Sequence, residues 1–75
     1  MTEKQLQQES QKVVDFMENS PLREGFQRVQ IFYDRQDKVW TMHAYLPMAD
    51  KVFKLTKKTC GEIVSFLKII ERQVV

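Results

Sequence analysis

The chain has one cysteine, one histidine and two glycines among its 75 residues. The single cysteine, Cys60, excludes an internal disulfide and favours a reducing compartment. Neither Cys60 nor His43 has spaced partners for zinc, which takes about four nitrogen or sulfur ligands. With only Gly25 and Gly61, the chain contains no glycine-rich phosphate loop. We therefore expect no metal, no cofactor and no enzymatic activity.

Long hydrophobic runs are also missing. No stretch approaches the ~18 apolar residues of a membrane span. Residues 1–10 are polar, unlike a secretory signal. We therefore expect a soluble, cytoplasmic protein that does not enter a membrane.

The length allows one domain, residues 1–75, with a thin core. A chain of this size buries only roughly 60% of the surface that its unfolded form exposes. Little room remains for an enclosed catalytic cavity. A shallow face or groove that binds a partner is the more economical use of so few residues.

Charge is small overall but unevenly distributed. The formal net charge is +2, and residues 1–20 carry −2, with two lysines against four acidic side chains. Residues 21–75 therefore carry +4. The total alone does not indicate nucleic acid, but the basic excess falls in the predicted strands and the last helix.

Two segments show helical periodicity. Residues 2–19 lack glycine and proline, and Pro21 ends this helix because a proline pushes the preceding residue out of the α region. The last helix is predicted over 60–72, after the capping-box pattern of Thr59 and Glu62. The apolar stripe of the first helix consists of Leu6, Val13, Val14 and Met17, with Phe16 beside it. The apolar stripe of the last helix consists of Cys60, Ile63, Val64, Leu67 and Ile70, and Phe66 and Ile69 widen it.

Between the helices, three segments are typical of strands. Residues 26–33 and 38–46 are rich in β-branched and aromatic side chains and predict a hairpin, and a short third strand follows over 52–56. A loop with an even number of residues makes one face wholly apolar, whereas an odd loop mixes Arg28 into it. We predict the even register because it buries fewer polar groups. Its apolar face consists of Val29, Ile31, Tyr33, Trp40, Met42, Ala44 and Leu46.

The predicted fold is α+β, in the order helix, three-stranded antiparallel sheet, helix (αβββα). Both helices need apolar cover and only one sheet face is fully apolar, so both should pack there. The other face is left open and mixes basic groups with aromatic rings. Such a surface can stack bases while its cations neutralise phosphates. In the predicted register it shows Arg28, Gln30, Phe32, Val39, Thr41, His43, Tyr45, Val52 and Lys54.

A second candidate is the pair Lys57-Lys58, directly before the last helix. A helix N-terminus offers free amides and the positive end of the helix dipole, and lysines beside it strengthen an anion site. Lys51 and Lys54 extend the patch, although solvated loop lysines are the alternative interpretation. The predicted nucleic-acid-binding residues are Arg28, Lys54, Lys57 and Lys58 for phosphates, and Phe32, His43 and Tyr45 for stacking.

Contact with an RNA or DNA backbone is our leading hypothesis, and the same face allows two others. Phe32, Val39, Tyr45 and Val52 could form the apolar centre of an interface with charges at its rim. The partner would then be a larger protein that the chain regulates or inhibits, or a second copy in a homodimer. A half-solvated sheet without any ligand is the third interpretation.

The predicted element order is similar to that of double-stranded-RNA-binding domains and of the small Alu-domain proteins of the signal recognition particle. The Lys57-Lys58 pair also resembles the lysines that double-stranded-RNA-binding domains place before their last helix. The chain departs from that family because it lacks the glycine-rich approach to the lysines and the alanine-rich helix, and has Ile63, Val64 and Phe66 instead. Several small phage-encoded inhibitors share a similar topology without binding RNA, so element order alone does not assign a function.

Overall fold

The computed structural model describes residues 2–74, with side chains as far as residue 73. The elements are helix α1 (Glu3–Glu18), a short 3₁₀-helix (Pro21–Glu24), strands β1 (Gln27–Asp34), β2 (Val39–Leu46) and β3 (Lys51–Lys57), and helix α2 (Cys60–Val74). The three strands form one antiparallel sheet in the order β1-β2-β3. The predicted αβββα fold is confirmed.

Both ends of helix α1 follow from local side-chain chemistry. Thr2 Oγ1 accepts a hydrogen bond from the Gln5 amide at 3.2 Å, and the Thr2 amide donates to Gln5 Oε1 at 2.8 Å. This capping box satisfies two backbone donors that the first helical turn leaves unpaired. At the other end Ser20 is extended (φ −105°, ψ 143°) before Pro21, as predicted.

Ser20 has a structural role that its position before Pro21 does not by itself predict. It is buried, and its Oγ accepts from the Leu22 amide at 3.1 Å and donates to Glu71 Oε2 at 2.6 Å. The first bond starts the 3₁₀-helix, which places Leu22 in the core. The second bond joins the segment after α1 to the far end of α2.

Strands β1 and β2 pair in an even register, as predicted, although the turn lies one residue later than the predicted strand bounds place it. Tyr33 lies opposite Trp40 and Ile31 lies opposite Met42, across a four-residue turn at 35–38. Met42 is fully buried and Trp40 is 4% exposed. The alternating apolar residues of the two strands therefore share one face, which the helices cover.

The core lies between this face and the two helices. Ile69 is 52% exposed, so the prediction that it widens the packing stripe of α2 is wrong. The reason is geometric, because Ile69 lies about 200° around the helix from the buried Leu67. Neither α1 nor α2, as described over residues 2–74, has the length and hydropathy of a membrane span. The fully packed residues are Val13, Met17, Leu22, Trp40, Met42, Ala44, Cys60, Ile63 and Leu67.

Candidate functional site

The sheet face turned away from both helices is the candidate site, and we call it the open face. Strand pairing arranges its side chains in rows that each cross all three strands. Arg28 lies beside these rows at the start of β1. The rows are Phe32, Thr41 and Thr56; Gln30, His43 and Lys54; and Gln27, Tyr45 and Val52.

Strand β1 begins with a β-bulge that positions Arg28. The strand register shifts between residues 27 and 30, so Arg28 and Val29 together lie opposite Ala44. Arg28 has φ 53°, in the left-handed region where bulges usually carry glycine. The extra residue lets Val29 pack against the core while Arg28 stays exposed. The bulge therefore leaves a cationic side chain at the edge of the open face.

An open groove of about 360 Å³ lies beside the bulge. Its lining combines Arg28 and Gln30 with Val52, which is 68% exposed. Hydrogen-bond donors thus lie next to apolar surface, which suits a ligand that has both an anionic and a flat apolar part. The remaining lining residues are His43, Ala44 and Tyr45.

Tyr45 is held at one end of this groove. Its hydroxyl donates to Asp50 Oδ1 at 2.7 Å. This hydrogen bond, together with some desolvation, raises the pKa of Tyr45 above its ordinary 10.0, while the positive charge of Arg28 opposes the rise. The phenol therefore stays protonated, and its ring keeps a defined position. Asp50, at φ 50° in the turn before β3, places one carboxylate at this end of the open face.

Phe32 and His43 form an aromatic pair in the middle of the open face. Their ring centroids are 5.2 Å apart at an interplanar angle of 70°, an edge-to-face arrangement. Phe32 is 46% exposed, so part of its ring remains available for stacking. Beside the pair, the hydroxyls of Thr41 and Thr56 are hydrogen-bonded to each other at 3.0 Å.

The predicted lysines do not lie together. Lys54 is exposed on the open face, opposite His43. Lys57 faces the helices, and its Nζ lies 5.5 Å from the centroid of the Phe66 ring, within the range of a cation–π contact. Lys58 is exposed in the connection before α2. Of the predicted site residues, the structure brings together Arg28, Phe32, His43, Tyr45 and Lys54.

Cys60 packs in the core and is fully buried. Burial raises the pKa of its thiol to about 11, the charge of Glu9 adds to the rise, and Lys12 opposes it. The thiolate is the nucleophilic form, so this environment disfavours covalent chemistry at Cys60. Within residues 2–74, no group of three or more histidine, cysteine and acidic side chains could hold a metal ion.

The buried thiol gives a direct prediction for chemical modification. At pH 8, we expect iodoacetamide to alkylate Cys60 in the folded protein at least about 100-fold more slowly than in the urea-unfolded chain, because burial suppresses the thiolate. Quenched time points analysed by mass spectrometry measure both rates, and Cys60→Ser serves as the unlabelled control. Equal rates in the folded and unfolded chains would contradict the packed position of Cys60.

No protein-family model, curated protein or solved structure matches this chain. The likeness to double-stranded-RNA-binding domains is therefore one of element order. The side chains of the open face are therefore the basis for the function proposed below.

Proposed function

We propose that the protein is a non-catalytic binding module whose open face contacts nucleic acid. The observation that carries this proposal is the placement of Arg28 and Lys54 on the same exposed surface as Phe32, His43 and Tyr45. Cationic side chains neutralise phosphates, and aromatic rings stack on bases. A reducing, cytoplasmic location belongs to the same proposal, on the basis of the single unpaired cysteine.

The positions of the carboxylates support the proposal. Asp34 lies at one end of the sheet, where its Oδ1 accepts from the amides of Gln36 and Asp37 at 2.9 and 3.1 Å. Asp50 lies at the other end, where it accepts from Tyr45. Both carboxylates take part in turn structure, and none of the rows between them contains an acidic residue. A polyanion could therefore cross the middle of the face without meeting a negative side chain.

The two lysines before α2 have a smaller part in this proposal. Lys57 would have to leave the Phe66 ring to reach a phosphate. A contribution from the exposed Lys58 stays a prediction.

Lys54→Gln tests the proposal with little risk to the fold, since Lys54 is exposed. We expect about 3- to 10-fold weaker binding of a fluorescent oligonucleotide at about 50 mM salt, because one phosphate contact is lost. The slope of log K against log salt should become shallower by about 0.7 to 0.9. Fluorescence anisotropy at several salt concentrations measures both quantities.

Lys68→Gln is the matched control, because it removes the same charge from an exposed position on α2, in the other layer. It should change the affinity by less than about 2-fold. Equal losses from the two variants would mean that only net charge matters. Absence of binding to RNA and DNA at low salt would remove the proposal.

A protein partner is the second candidate, and one observation favours it. Val52 and Phe32 are 68% and 46% exposed on the same face. In a two-fold dimer through this face, however, the basic Arg28 and Lys54 would meet a surface that is itself basic, and like charges oppose association. Sedimentation at several protein concentrations separates the cases, since a strict monomer removes the homodimer version.

A further inference from the structure

The proposed function leaves open whether the ligand is a duplex or a single strand, and the layout of charge bears on this choice. Helix α1 lies on the far side of the sheet in the segment that carries −2. Arg35 forms a salt bridge with Glu3 of α1, and its Nη2 lies 3.0 Å from Glu3 Oε1. A duplex wide enough to reach both layers would bring its phosphates close to these carboxylates. The α1 side of the molecule is therefore unfavourable for a second phosphate backbone.

Two lysines of strand β3, Lys54 and Lys57, lie on opposite faces of the sheet. Lys57 is directed onto Phe66 in the helix layer, whereas Lys54 projects from the opposite face. The two charges therefore lie on different sides of the sheet and cannot both contact one duplex backbone crossing the open face.

The apolar side chains of the open face also favour a single strand over a duplex. Phe32 and Val52 are two of its most exposed apolar side chains. A duplex presents phosphates and sugars to a flat surface and keeps the faces of its bases stacked inside. A single strand presents unstacked bases, which gain from aromatic contact. Of the two forms of nucleic acid, the single strand therefore gains more from the exposed ring of Phe32.

We infer that the open face takes single-stranded nucleic acid, with a base against the Phe32 ring and backbone phosphates at Arg28 and Lys54. This inference rests on the proposed function. The bulge supplies the first phosphate contact, because it holds the Arg28 side chain beside the groove. The edge-to-face contact with His43 fixes the orientation of the stacking ring.

The direct test compares a labelled single strand of about 12 nucleotides with the blunt duplex of the same sequence, as DNA and as RNA. We expect the single strand to bind at least about 10-fold more tightly at about 50 mM salt, because only unpaired bases can stack. Equal or tighter binding of the duplex would overturn the inference and leave the proposed function intact. If neither form binds, the proposed function fails as well.

Asp50→Asn adds a test in which binding improves, so misfolding cannot imitate the expected result. Asparagine tolerates the positive φ of residue 50, and its side-chain oxygen can still accept from the Tyr45 hydroxyl. Removing the carboxylate at the end of the groove should tighten single-strand binding about 2- to 5-fold at low salt.

Asp15→Asn is the matched control for this variant. It removes the same charge from an exposed position on α1 and keeps an acceptor for Gln11, whose Nε2 now donates to Asp15 Oδ1 at 2.7 Å. It should leave the affinity within about 1.5-fold, since the charge lies in the other layer. Equal effects from Asp15→Asn and Asp50→Asn would show that no strand passes the groove, and would overturn the inference.

Discussion

Phe32→Ala is expected to weaken single-strand binding by about 5- to 150-fold, the range for losing one base–aromatic stack of about 1–3 kcal/mol. The ring lies in the middle of the open face and is 46% exposed. Its contact with His43 orients it, so the substitution removes both the stacking surface and the partner of His43. Anisotropy titration of the wild type and the variant measures the loss.

Two comparisons show whether the lost affinity comes from stacking. Phe32→Tyr retains a flat ring and should bind within about 3-fold of the wild type. Ile69→Ala removes an apolar side chain of similar exposure, 52%, from α2 in the other layer. It should leave binding unchanged within about 2-fold, as expected of a surface position away from the ligand.

A stability measurement completes this experiment. Because Phe32 lies outside the packed core, its truncation should cost the fold less than about 1.5 kcal/mol. A thermal melt of the free variant checks this directly. If folded Phe32→Ala binds as well as the wild type, no base stacks on this ring.

The pairing of β1 with β2 was predictable because the apolar alternation of both strands allows only one wholly apolar face. Ile31 and Met42 can both face the core only in the even register, and in the structure they lie directly opposite each other. The same alternation predicts that Arg28, Tyr45 and Lys54 lie on the opposite surface. Most of the candidate site therefore follows from period-two patterning.

The bulge was missed, although the sequence contains a signal for it. Phe26, Val29 and Ile31 all pack against the core, but the step from Phe26 to Val29 is three residues instead of two. An extra residue in the strand is what a β-bulge provides. Glycine usually marks such a position in a sequence, but here the residue is Arg28, so the composition of the strand does not indicate a bulge.

The placement of Lys57 was missed for a related reason. The third strand was predicted to end at Thr56, whereas β3 continues to Lys57. Alternation from Phe53 through Leu55 then directs Lys57 toward the helices. The bond from Ser20 to Glu71 joins residues that are 51 positions apart in the chain, and short-range patterns do not encode such a contact.

Met42→Ala should cost about 2–5 kcal/mol of the free energy of unfolding, because the side chain is fully buried on the central strand. A domain of this length is stable by only about 4–11 kcal/mol, so the melting temperature should fall by at least about 10 °C. Met48→Ala is the matched control, since Met48 is 97% exposed and its truncation should change the unfolding free energy by less than about 0.5 kcal/mol. Urea unfolding followed by circular dichroism measures both variants.

A slip of one residue between β1 and β2 would turn Met42 toward water together with Trp40 and would bury Tyr45. Similar small losses from the two methionine variants would therefore contradict the strand register, and with it the open face on which the binding proposal depends.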